Sequence, residues 1–224
     1  MKKVPNHLGI ILDGNRRWAK EKGLSAFKGH KKGLETIKKT IEWCKEKGIK
    51  TLTLFVFSTE NWKRPKKEVD YLMKMAEKME SHFSKAVKEN IKLKVIGQRD
   101  RLPLAVRASI KKIENLTKNH NAMTLNFALS YGGRAEIVEA VKNIMRQKVD
   151  VRKIDENLIS RNLWTSDLDL IIRTGKEQRI SNFLIWQAAY SELYFLKKYW
   201  PDFNKRDLNQ AILEYARRQR RHGK

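Results

Sequence analysis

The stretch His7-Leu-Gly-Ile-Ile-Leu12, followed directly by Asp13-Gly-Asn-Arg-Arg17, decides the fold. An unbroken apolar run that ends in turn residues is typical of a buried strand whose carboxyl end carries a polar loop. In open α/β sheets, ligands bind at that end of the strands. The loop offers a carboxylate, an amide and two guanidinium groups, which suit a polyanion together with a divalent cation. Asp-Gly and Gly-Asn are also ordinary turn dipeptides, so the loop taken alone indicates no more than a turn.

The composition favours one domain. A chain of 224 residues is long enough for a sizeable core, and no linker or shift in composition divides it, so a single domain over 1–224 is expected. The only cysteine, Cys44, excludes an internal disulfide and any multi-cysteine metal site. No signal peptide or membrane span is recognisable, and we therefore expect a cytoplasmic protein.

The chain is strongly basic. Its 49 Lys and Arg residues against 25 Asp and Glu residues give a formal net charge of +24. Such a charge attracts any polyanion, whether nucleic acid, an anionic membrane surface or a phosphorylated substrate. Much of it is lysine on presumed helix faces, where a solvated surface is the ordinary role. Charge alone therefore does not choose among these partners.

Apolar periodicity predicts alternating strands and helices. Strands are predicted over 7–12, 51–57, 91–96, 123–129, 168–172 and 193–195. Helices are predicted over 33–47, 67–89, 103–118, 155–163 and 182–189, after Gly132 and Gly133, and from 205 onward. Parallel strands need crossover connections, so this alternation implies an α/β fold with a mostly parallel central sheet and helices on both faces.

Three of these strands end in loops of the same chemical character. The second and third loops carry amide, hydroxyl and guanidinium groups, on Ser58, Asn61 and Arg64 and on Arg173, Arg179 and Ser181. Ser181 is predicted to begin a helix, whose free N–H groups would hold a phosphate oxygen. Several anion-binding loops converging at one sheet edge leave room for two diphosphates.

Six motifs stand in collinear order from about Leu8 to Gly223. They are Ile11-Leu-Asp-Gly-Asn-Arg-Arg-Trp-Ala19, Lys28-Gly-His-Lys-Lys-Gly33, Phe57-Ser-Thr-Glu-Asn-Trp-Lys-Arg-Pro65, Ser130-Tyr-Gly-Gly-Arg134, Ile172-Arg-Thr-Gly-Lys-Glu-Gln-Arg-Ile-Ser-Asn-Phe-Leu-Ile-Trp-Gln187 and Tyr190-Ser-Glu-Leu-Tyr-Phe195. In type and spacing they closely resemble the cis-prenyltransferases, whose bacterial members are undecaprenyl diphosphate synthases. The aspartate-rich DDxxD motifs of the trans-prenyl synthases are absent from the sequence.

The resemblance implies an Mg²⁺-dependent condensation of isopentenyl diphosphate with an allylic diphosphate such as farnesyl diphosphate. The product would be a long-chain cis-polyprenyl diphosphate, such as the undecaprenyl diphosphate carrier of cell-wall synthesis. A hydrophobic tunnel would hold the growing chain, with Met73, Met75 and Met79 as candidate lining residues. The resemblance further implies a homodimer, peripheral membrane contact through the lipid product, and no specific nucleic-acid partner.

The same resemblance assigns roles to individual residues. Asp13 would bind metal and diphosphate, Glu192 would be the second metal carboxylate, and His30 and Asn61 would act near the leaving group and the departing proton. The remaining substrate-binding residues would be Gly14, Asn15, Arg16, Arg17, Trp18, Ser58, Thr59, Glu60, Trp62, Arg64, Arg173, Arg179, Ser181, Arg221 and Gly223. Arg173, Arg179 and Ser181 would clamp the isopentenyl diphosphate. Arg221 and Gly223 would reach the active site of the partner subunit.

Three positions depart from the family pattern. Arg16 and Lys176 stand where glycines are usual, and Ala26 stands where most members carry an arginine that contacts the allylic diphosphate. Two rival functions stay open at this point. The basic tail Arg217–Lys224 would suit a nucleic-acid binder, whose binding weakens steeply with salt. A non-catalytic subunit is the other alternative, which Asp13 and the arginine clamp disfavour.

Overall fold

A six-stranded parallel sheet forms the centre of the computed structural model, which describes residues 4–218. The strands are β1 (His7–Ile11), β2 (Thr51–Ser58), β3 (Ile91–Ile96), β4 (Met123–Tyr131), β5 (Leu170–Arg173) and β6 (Glu192–Phe195). They lie in the order β3-β4-β2-β1-β5-β6, and each neighbouring pair is parallel. The predicted α/β fold is confirmed.

Helices flank the sheet. They are α1 (Asn15–Glu21), α2 (Ala26–Glu46), α3 (Lys66–Glu77), α4 (Met79–His82), α5 (Ser84–Lys88), α6 (Leu104–Thr117), α7 (Gly133–Arg146), α8 (Glu156–Asn162) and α9 (Lys205–Arg217). Single 3₁₀ turns occur at Thr59–Lys63, Arg99–Arg101, Val151–Lys153 and Trp200–Asp202. Within residues 4–218, none of the helices has the length and apolar character to span a membrane.

The two faces of the sheet bury different apolar clusters. Successive side chains of a strand point to opposite faces, so Leu8 and Ile10 of β1 enter the larger cluster while Ile11 enters the smaller one. The larger cluster includes side chains of α2, α3, α6 and α9, and the smaller includes Phe183 and Leu184. Burial on both faces explains why β1 is apolar at nearly every position.

Strand β1 lies at the point where the strand order reverses. From β1 the chain moves to β2 and then to β3 and β4 on one side, and it later returns to β5 and β6 on the other. Open α/β sheets bind ligands in the crevice outside the carboxyl ends of the strands at such a reversal. The polar loop that begins at Asp13 leaves β1 at this point.

Helix α2 begins at Ala26, seven residues earlier than the predicted start at 33. The predicted helix over 67–89 is also wrong in detail, because it is divided into α3, α4 and α5 by breaks at Lys78 and Phe83. Its apolar stripe is nevertheless continuous in space: Val69, Met73, Met79 and Phe83 all belong to the larger core cluster. The apolar periodicity correctly predicted which side chains of this segment are buried, but it did not predict the two breaks in the helix.

The predicted helix over 182–189 is wrong. The segment is a series of turns, and Ser181, Asn182 and Leu184 have φ angles of 49°, 63° and 44°. Tertiary hydrogen bonds replace helical ones: the carbonyl of Asn182 accepts from the N–H of Gly133, and its side-chain oxygen accepts from the N–H of Arg134. Ser181 therefore does not begin a helix.

His7, the first residue of β1, is buried as a neutral imidazole. Its Nδ1 lies 2.9 Å from the carbonyl oxygen of Asp167, which only accepts, so Nδ1 carries the proton. Its Nε2 then accepts from the Thr53 hydroxyl at 2.7 Å. Burial lowers the pKa of His7 to about 4 from 6.5. The folded protein consequently resists protonation of this ring.

We predict that acid weakens the fold through His7. Between pH 6.5 and 4 the unfolded chain binds a proton that the folded chain does not, so the contribution is present above pH 6.5 and is lost as the pH falls towards 4. The shift corresponds to roughly 3 kcal/mol at most. Urea unfolding at pH 7 and pH 4.5 should show a smaller loss of stability in His7→Gln than in the parent, whereas His120→Gln should keep the parental loss. Equal losses in all three proteins would contradict the prediction.

Candidate active site

A cleft of about 1160 Å³ opens at the carboxyl ends of β1, β2 and β5. It is lined by twelve of the residues predicted from the sequence: Asp13, Gly14, Asn15, Arg16, Arg17, His30, Ser58, Glu60, Asn61, Arg64, Arg173 and Ser181. Ala26 lies in the same wall. Loops that are distant in the chain thus converge at the reversal of strand order.

Asp13 is the centre of the charges in this cleft. One carboxylate oxygen lies 3.0 Å from Nη2 of Arg17, and the other lies 3.0 Å from Nη2 of Arg173. Strand register explains the second contact, because Ile11 of β1 is directly opposite Arg173 of β5. Two guanidinium groups from opposite ends of the chain therefore share one carboxylate.

The backbone around Asp13 is held by Thr174 and Trp200. The N–H of Asp13 donates to the Thr174 hydroxyl at 3.0 Å, and that hydroxyl lies 2.9 Å from the carbonyl oxygen of Asp13. The N–H of Trp200 donates to the same carbonyl at 3.0 Å. Gly14 follows with a φ of 107° and packs on Tyr199, where an added Cβ would lie 2.5 Å from a ring carbon. The Asp-Gly dipeptide is thus more than an ordinary turn.

A buried carboxylate, Glu68, organises the second wall. Its Oε1 accepts from Arg64 at 3.0 Å and lies 3.1 Å from Nε2 of His30, and Arg16 approaches its other oxygen at 3.7 Å. Burial lowers the pKa of His30, and the cations of Arg64 and Arg16 act in the same direction against the opposing effect of Glu68. A neutral ring that donates from Nε2 to Glu68 leaves Nδ1 as an acceptor.

The loop after β2 is fixed by hydrogen bonds of its own. Asn61 Oδ1 accepts from the N–H of Ser58 at 3.1 Å and closes the 3₁₀ turn as a capping box. Glu60 accepts from the side-chain amide of Asn182 at 3.3 Å, which joins this loop to the loop after β5. Burial would raise the pKa of Glu60, but hydrogen bonds to its carboxylate outweigh it and lower the pKa.

Arg173 is a buried cation, and one of its N–H donors is not used in a hydrogen bond to the described residues. Only 4% of the residue is exposed, and its Nη1 donates to the hydroxyl of Ser181 at 2.8 Å and to the carbonyl oxygen of Arg179. Among the described residues 4–218, its Nε has no hydrogen-bond partner. An unpartnered buried N–H is costly, and a bound anion would satisfy it. This orphan donor indicates that the cleft is built for an anionic ligand.

Glu177 bridges two arginines at the rim. Its oxygens accept from Arg17 at 2.9 Å and from Arg179 at 2.7 Å. These contacts lower the pKa of Glu177, with the hydrogen bond from Arg17 as the largest cause. Burial alone would lower the pKa of Arg17, but the opposite charges of Asp13 and Glu177 and their hydrogen bonds have the larger combined effect and raise it. The rim arginines are therefore oriented before any ligand binds.

An apolar cavity of about 120 Å³ continues from the cleft. The two spaces share Leu12, Asn15, His30 and Val56, and the cavity then runs between β2, β4 and the helices α2, α3 and α4. Met75 and Met79 line it, whereas Met73 lies in the core and does not. A polar cleft that leads into an apolar cavity suits an amphiphile with an anionic head.

Comparison with known proteins agrees with this geometry. The prenyltransferase family model, whose description reads "Putative undecaprenyl diphosphate synthase", matches residues 11–223. The chain belongs to this family. Isoprenyl transferases of Bacillus thuringiensis subsp. konkukian and Thermotoga maritima are each 46% identical to it, with 98% of this chain and 88% of the first relative covered, and 99% of this chain and 97% of the second.

Solved structures give the same result. Lavandulyl diphosphate synthase from Lavandula x intermedia, in complex with dimethylallyl diphosphate, has a TM-score of 0.94 at 36% identity and 99% coverage of both chains. A probable undecaprenyl diphosphate synthase from Campylobacter jejuni has a TM-score of 0.83 at 36% identity over both full chains. The chain is a prenyltransferase, as its motifs predicted.

Several predicted site residues do not line the cleft. Trp18 packs in a small apolar cluster with Tyr199, and its indole N–H donates to Asp202 at 2.8 Å. Trp62 packs on Phe57 and donates to the Ser130 hydroxyl at 3.0 Å. Thr59 and the side chain of Arg179 also lie outside the cleft walls. Their roles as substrate contacts stay predictions.

Glu192 is not beside Asp13 within one chain. It is aligned with Leu170 and Leu8 at the amino ends of their strands, three residues before the level of Arg173 and Ile11. That separation is roughly 10 Å along the strand. The carboxylate of Glu192 pairs with Arg218 at 2.7 Å. Arg221 and Gly223 lie outside the described residues.

Sequence reasoning assigned no role to Glu68, Glu177, Thr174 or Asn182. Glu68 had a detectable signal, because it follows Arg64 by four residues at the start of a helix and such pairs interact. The other three act across the fold, on partners more than a hundred residues away. Their partners become visible only once the strands are assembled.

We predict that Gly175→Ala disrupts the site while Gly48→Ala does not. Both glycines have positive φ angles, 95° and 78°, so alanine should strain each backbone by about 1 kcal/mol or more. At Gly175 the new Cβ would meet the side chain of Asp13, at 2.7 Å from Cγ, whereas at Gly48 it would meet no atom of the described residues within 4 Å. Prenyl transfer should fall at least about 10-fold in Gly175→Ala alone. A similar loss of turnover in both variants would show that strain, not contact with Asp13, is responsible.

Proposed function

We propose that this prenyltransferase condenses isopentenyl diphosphate with an allylic diphosphate, with farnesyl diphosphate as the expected primer, and extends it to a long-chain cis-polyprenyl diphosphate. The observation that carries the proposal is that the arginine-rich cleft and the apolar cavity are adjacent and share lining residues. The cleft receives diphosphates and the cavity receives the hydrocarbon. The dimethylallyl diphosphate bound by the Lavandula relative is itself an allylic diphosphate, which supports this substrate class.

The arginines suit the departing diphosphate. When the allylic C–O bond breaks, negative charge grows on the leaving group, while the new C–C bond forms to isopentenyl diphosphate and a proton is lost. Arg16, Arg17 and Arg64 lie in the cleft wall before reaction, so they stabilise the growing charge without reorganisation. Arg173 and Ser181 form the second anion site, which we assign to isopentenyl diphosphate.

Mg²⁺ fits the donor chemistry of this site. Within residues 4–218 there is no group of three or more His, Cys, Asp or Glu side chains placed to hold a metal ion. Mg²⁺ is commonly held by one or two carboxylates together with substrate phosphates, and Asp13 is a carboxylate of the cleft wall. When bound, the ion would neutralise diphosphate charge. Glu192 is proposed as a second metal carboxylate only in an assembly that brings it to a cleft.

His30 is the proposed acceptor of a proton near the leaving group. It lies in the wall shared by the cleft and the apolar cavity, where head and tail of an allylic diphosphate would meet. Its lowered pKa keeps the ring neutral near pH 7, and Glu68 fixes the ring by the contact at Nε2. Asn61 in the neighbouring wall is the alternative group for this role.

A direct assay tests the function. The protein is incubated with labelled isopentenyl diphosphate, farnesyl diphosphate and Mg²⁺, and the products are separated by chain length. Incorporation of label into a ladder of longer diphosphates is expected. RNA or DNA that binds tightly in a salt-dependent manner, with no incorporation of label, would instead favour the nucleic-acid alternative.

We predict that Asp13→Ala abolishes most turnover in a protein that still folds, although with a lower melting temperature because the buried Arg173 loses its ion-pair partner. The change removes the carboxylate that both orients Arg17 and Arg173 and is proposed to hold Mg²⁺. A loss of about 100-fold or more in turnover is expected. Thermal unfolding checks the fold, and Asp70→Ala, on an exposed face of α3, is the matched control. A folded Asp13→Ala protein with near-parental turnover would exclude the assignment.

We further propose a cytoplasmic homodimer whose tail completes the partner's site. Helix α7 exposes Val138, Val141 and Met145, with Met145 72% exposed, and Tyr190 is 79% exposed. Apolar side chains gathered on one helix face are typical of an interface. Arg221 and Gly223 belong to the tail and would act across it.

We predict that removing residues 219–224 reduces prenyl transfer at least about 10-fold without unfolding the protein. Truncation after Arg218 keeps the pair between Arg218 and Glu192 and every other described contact. Sedimentation velocity should give a dimer for both the truncated and the parent protein. Unchanged prenyl transfer, or a monomeric parent, would contradict the proposal.

A further inference from the structure

Lys176 has an unusual backbone and an unusual set of neighbours. It adopts a φ of 67°, in the left-handed region that disfavours side chains with a Cβ. Its ammonium lies 4.5 Å from the centre of the Tyr199 ring and 3.8 Å from Oε1 of Glu21. The Tyr199 hydroxyl donates to that same oxygen at 2.6 Å. The side chain of Lys176 is therefore held by two partners although its backbone conformation is unfavourable for a residue with a Cβ.

The same tyrosine lies beneath the loop that begins at Asp13. Arg17 lies over its ring, with Cζ 5.5 Å from the centre, and Gly14 packs against it. Lys176 approaches the ring from the other substrate loop, the one that carries Glu177 and Arg179. One aromatic side chain, 8% exposed, thus contacts cations from both loops.

We propose that Lys176, Tyr199 and Glu21 form a clasp that sets the spacing between the two diphosphate subsites, with Lys176 as its positioning residue. This inference rests on the proposed function of the cleft. Lys176 immediately precedes Glu177, so holding Lys176 fixes the carboxylate that orients Arg17 in one subsite. The same carboxylate holds Arg179 at the rim, and the carbonyl oxygen of Arg179 accepts a hydrogen bond from Arg173 of the other subsite. The clasp therefore acts through these arginines and does not itself contact the substrates.

Backbone contacts are consistent with this role. The N–H of Gly175 donates to the carbonyl of Lys198 at 2.7 Å, and that of Lys176 donates to the carbonyl of Leu196 at 3.2 Å. These bonds place the loop along the segment that leads to Tyr199 without determining the position of Glu21, which belongs to α1. The side chain of Lys176 adds that link. Its contact with Tyr199 also raises the pKa of Lys176, which keeps the ammonium charged.

Three variants of Lys176 separate the cation from the backbone. Lys176→Met keeps the strain and removes the charge, Lys176→Arg keeps both, and Lys176→Gly removes both. Loss of the cation should raise the KM for both diphosphates by about 3- to 10-fold, with kcat changed by less than about 2-fold. Lys176→Arg should stay close to the parent. Lys197→Met, an exposed lysine on the neighbouring segment, is the matched control and should match the parent.

Stability gives an independent readout. Lys176→Gly relieves the left-handed strain, so its melting temperature should equal or exceed that of the parent while its KM values rise as in Lys176→Met. A purely structural role would move stability and affinity in the same direction. Parental KM values in Lys176→Met, or an equal loss in Lys176→Arg, would overturn the clasp.

Calorimetric titration of inorganic pyrophosphate distinguishes the clasp from the reaction. If the parent transferred no prenyl group, the proposed function would fail, yet weaker pyrophosphate binding by Lys176→Met than by Lys176→Arg would still support the clasp. Equal pyrophosphate binding by these two variants would overturn it. A parent that binds no pyrophosphate would overturn both.

Discussion

The ion pair between Asp13 and Arg173 is the interaction on which the site depends. It joins the first strand to the fifth, residues 160 positions apart, at the point where the strand order reverses. Buried charge is unfavourable unless it is paired, and Arg173 is almost completely buried. Asp13 supplies that partner while remaining in contact with the cleft. The residue that makes the buried arginine tolerable is therefore also the residue available to a metal.

The rest of the cleft repeats this arrangement. Glu68 pairs with Arg64 and approaches Arg16, and Glu177 pairs with both Arg17 and Arg179. Each carboxylate holds an arginine side chain in a fixed orientation when no substrate is bound. The same carboxylate also competes with the substrate phosphates for the N–H donors of that arginine. Because the guanidinium group has several N–H donors, one edge can remain on the carboxylate while another binds phosphate. Preorganisation and anion binding are thus compatible in the same side chains.

Much of this architecture was predictable from the sequence. The strand ending at Asp13 is buried on both faces, so its apolar run was unambiguous, and three polar loops at strand ends correctly located the cleft. The segment after Ser181 was mispredicted because its apolar spacing resembles a helix, while hydrogen bonds from Gly133 and Arg134, distant in the chain, stabilise a different backbone. The spacing of apolar residues in the sequence therefore predicts which side chains are buried. It does not show where hydrogen bonds to distant residues stabilise a non-helical backbone.

The apolar cavity imposes a further physical constraint on the proposed reaction. Its volume of about 120 Å³ is small beside the 1160 Å³ of the cleft, and a long polyprenyl chain needs more room than this. The wall must therefore move as the product lengthens. That wall is made of the short helices α3 and α4, separated by a break at Lys78, and of the flexible side chains of Met75 and Met79. A continuous helix with β-branched side chains would resist such displacement. The break at Lys78, which the sequence periodicity did not predict, therefore lies in the part of the wall that has to move as the product of the proposed reaction lengthens.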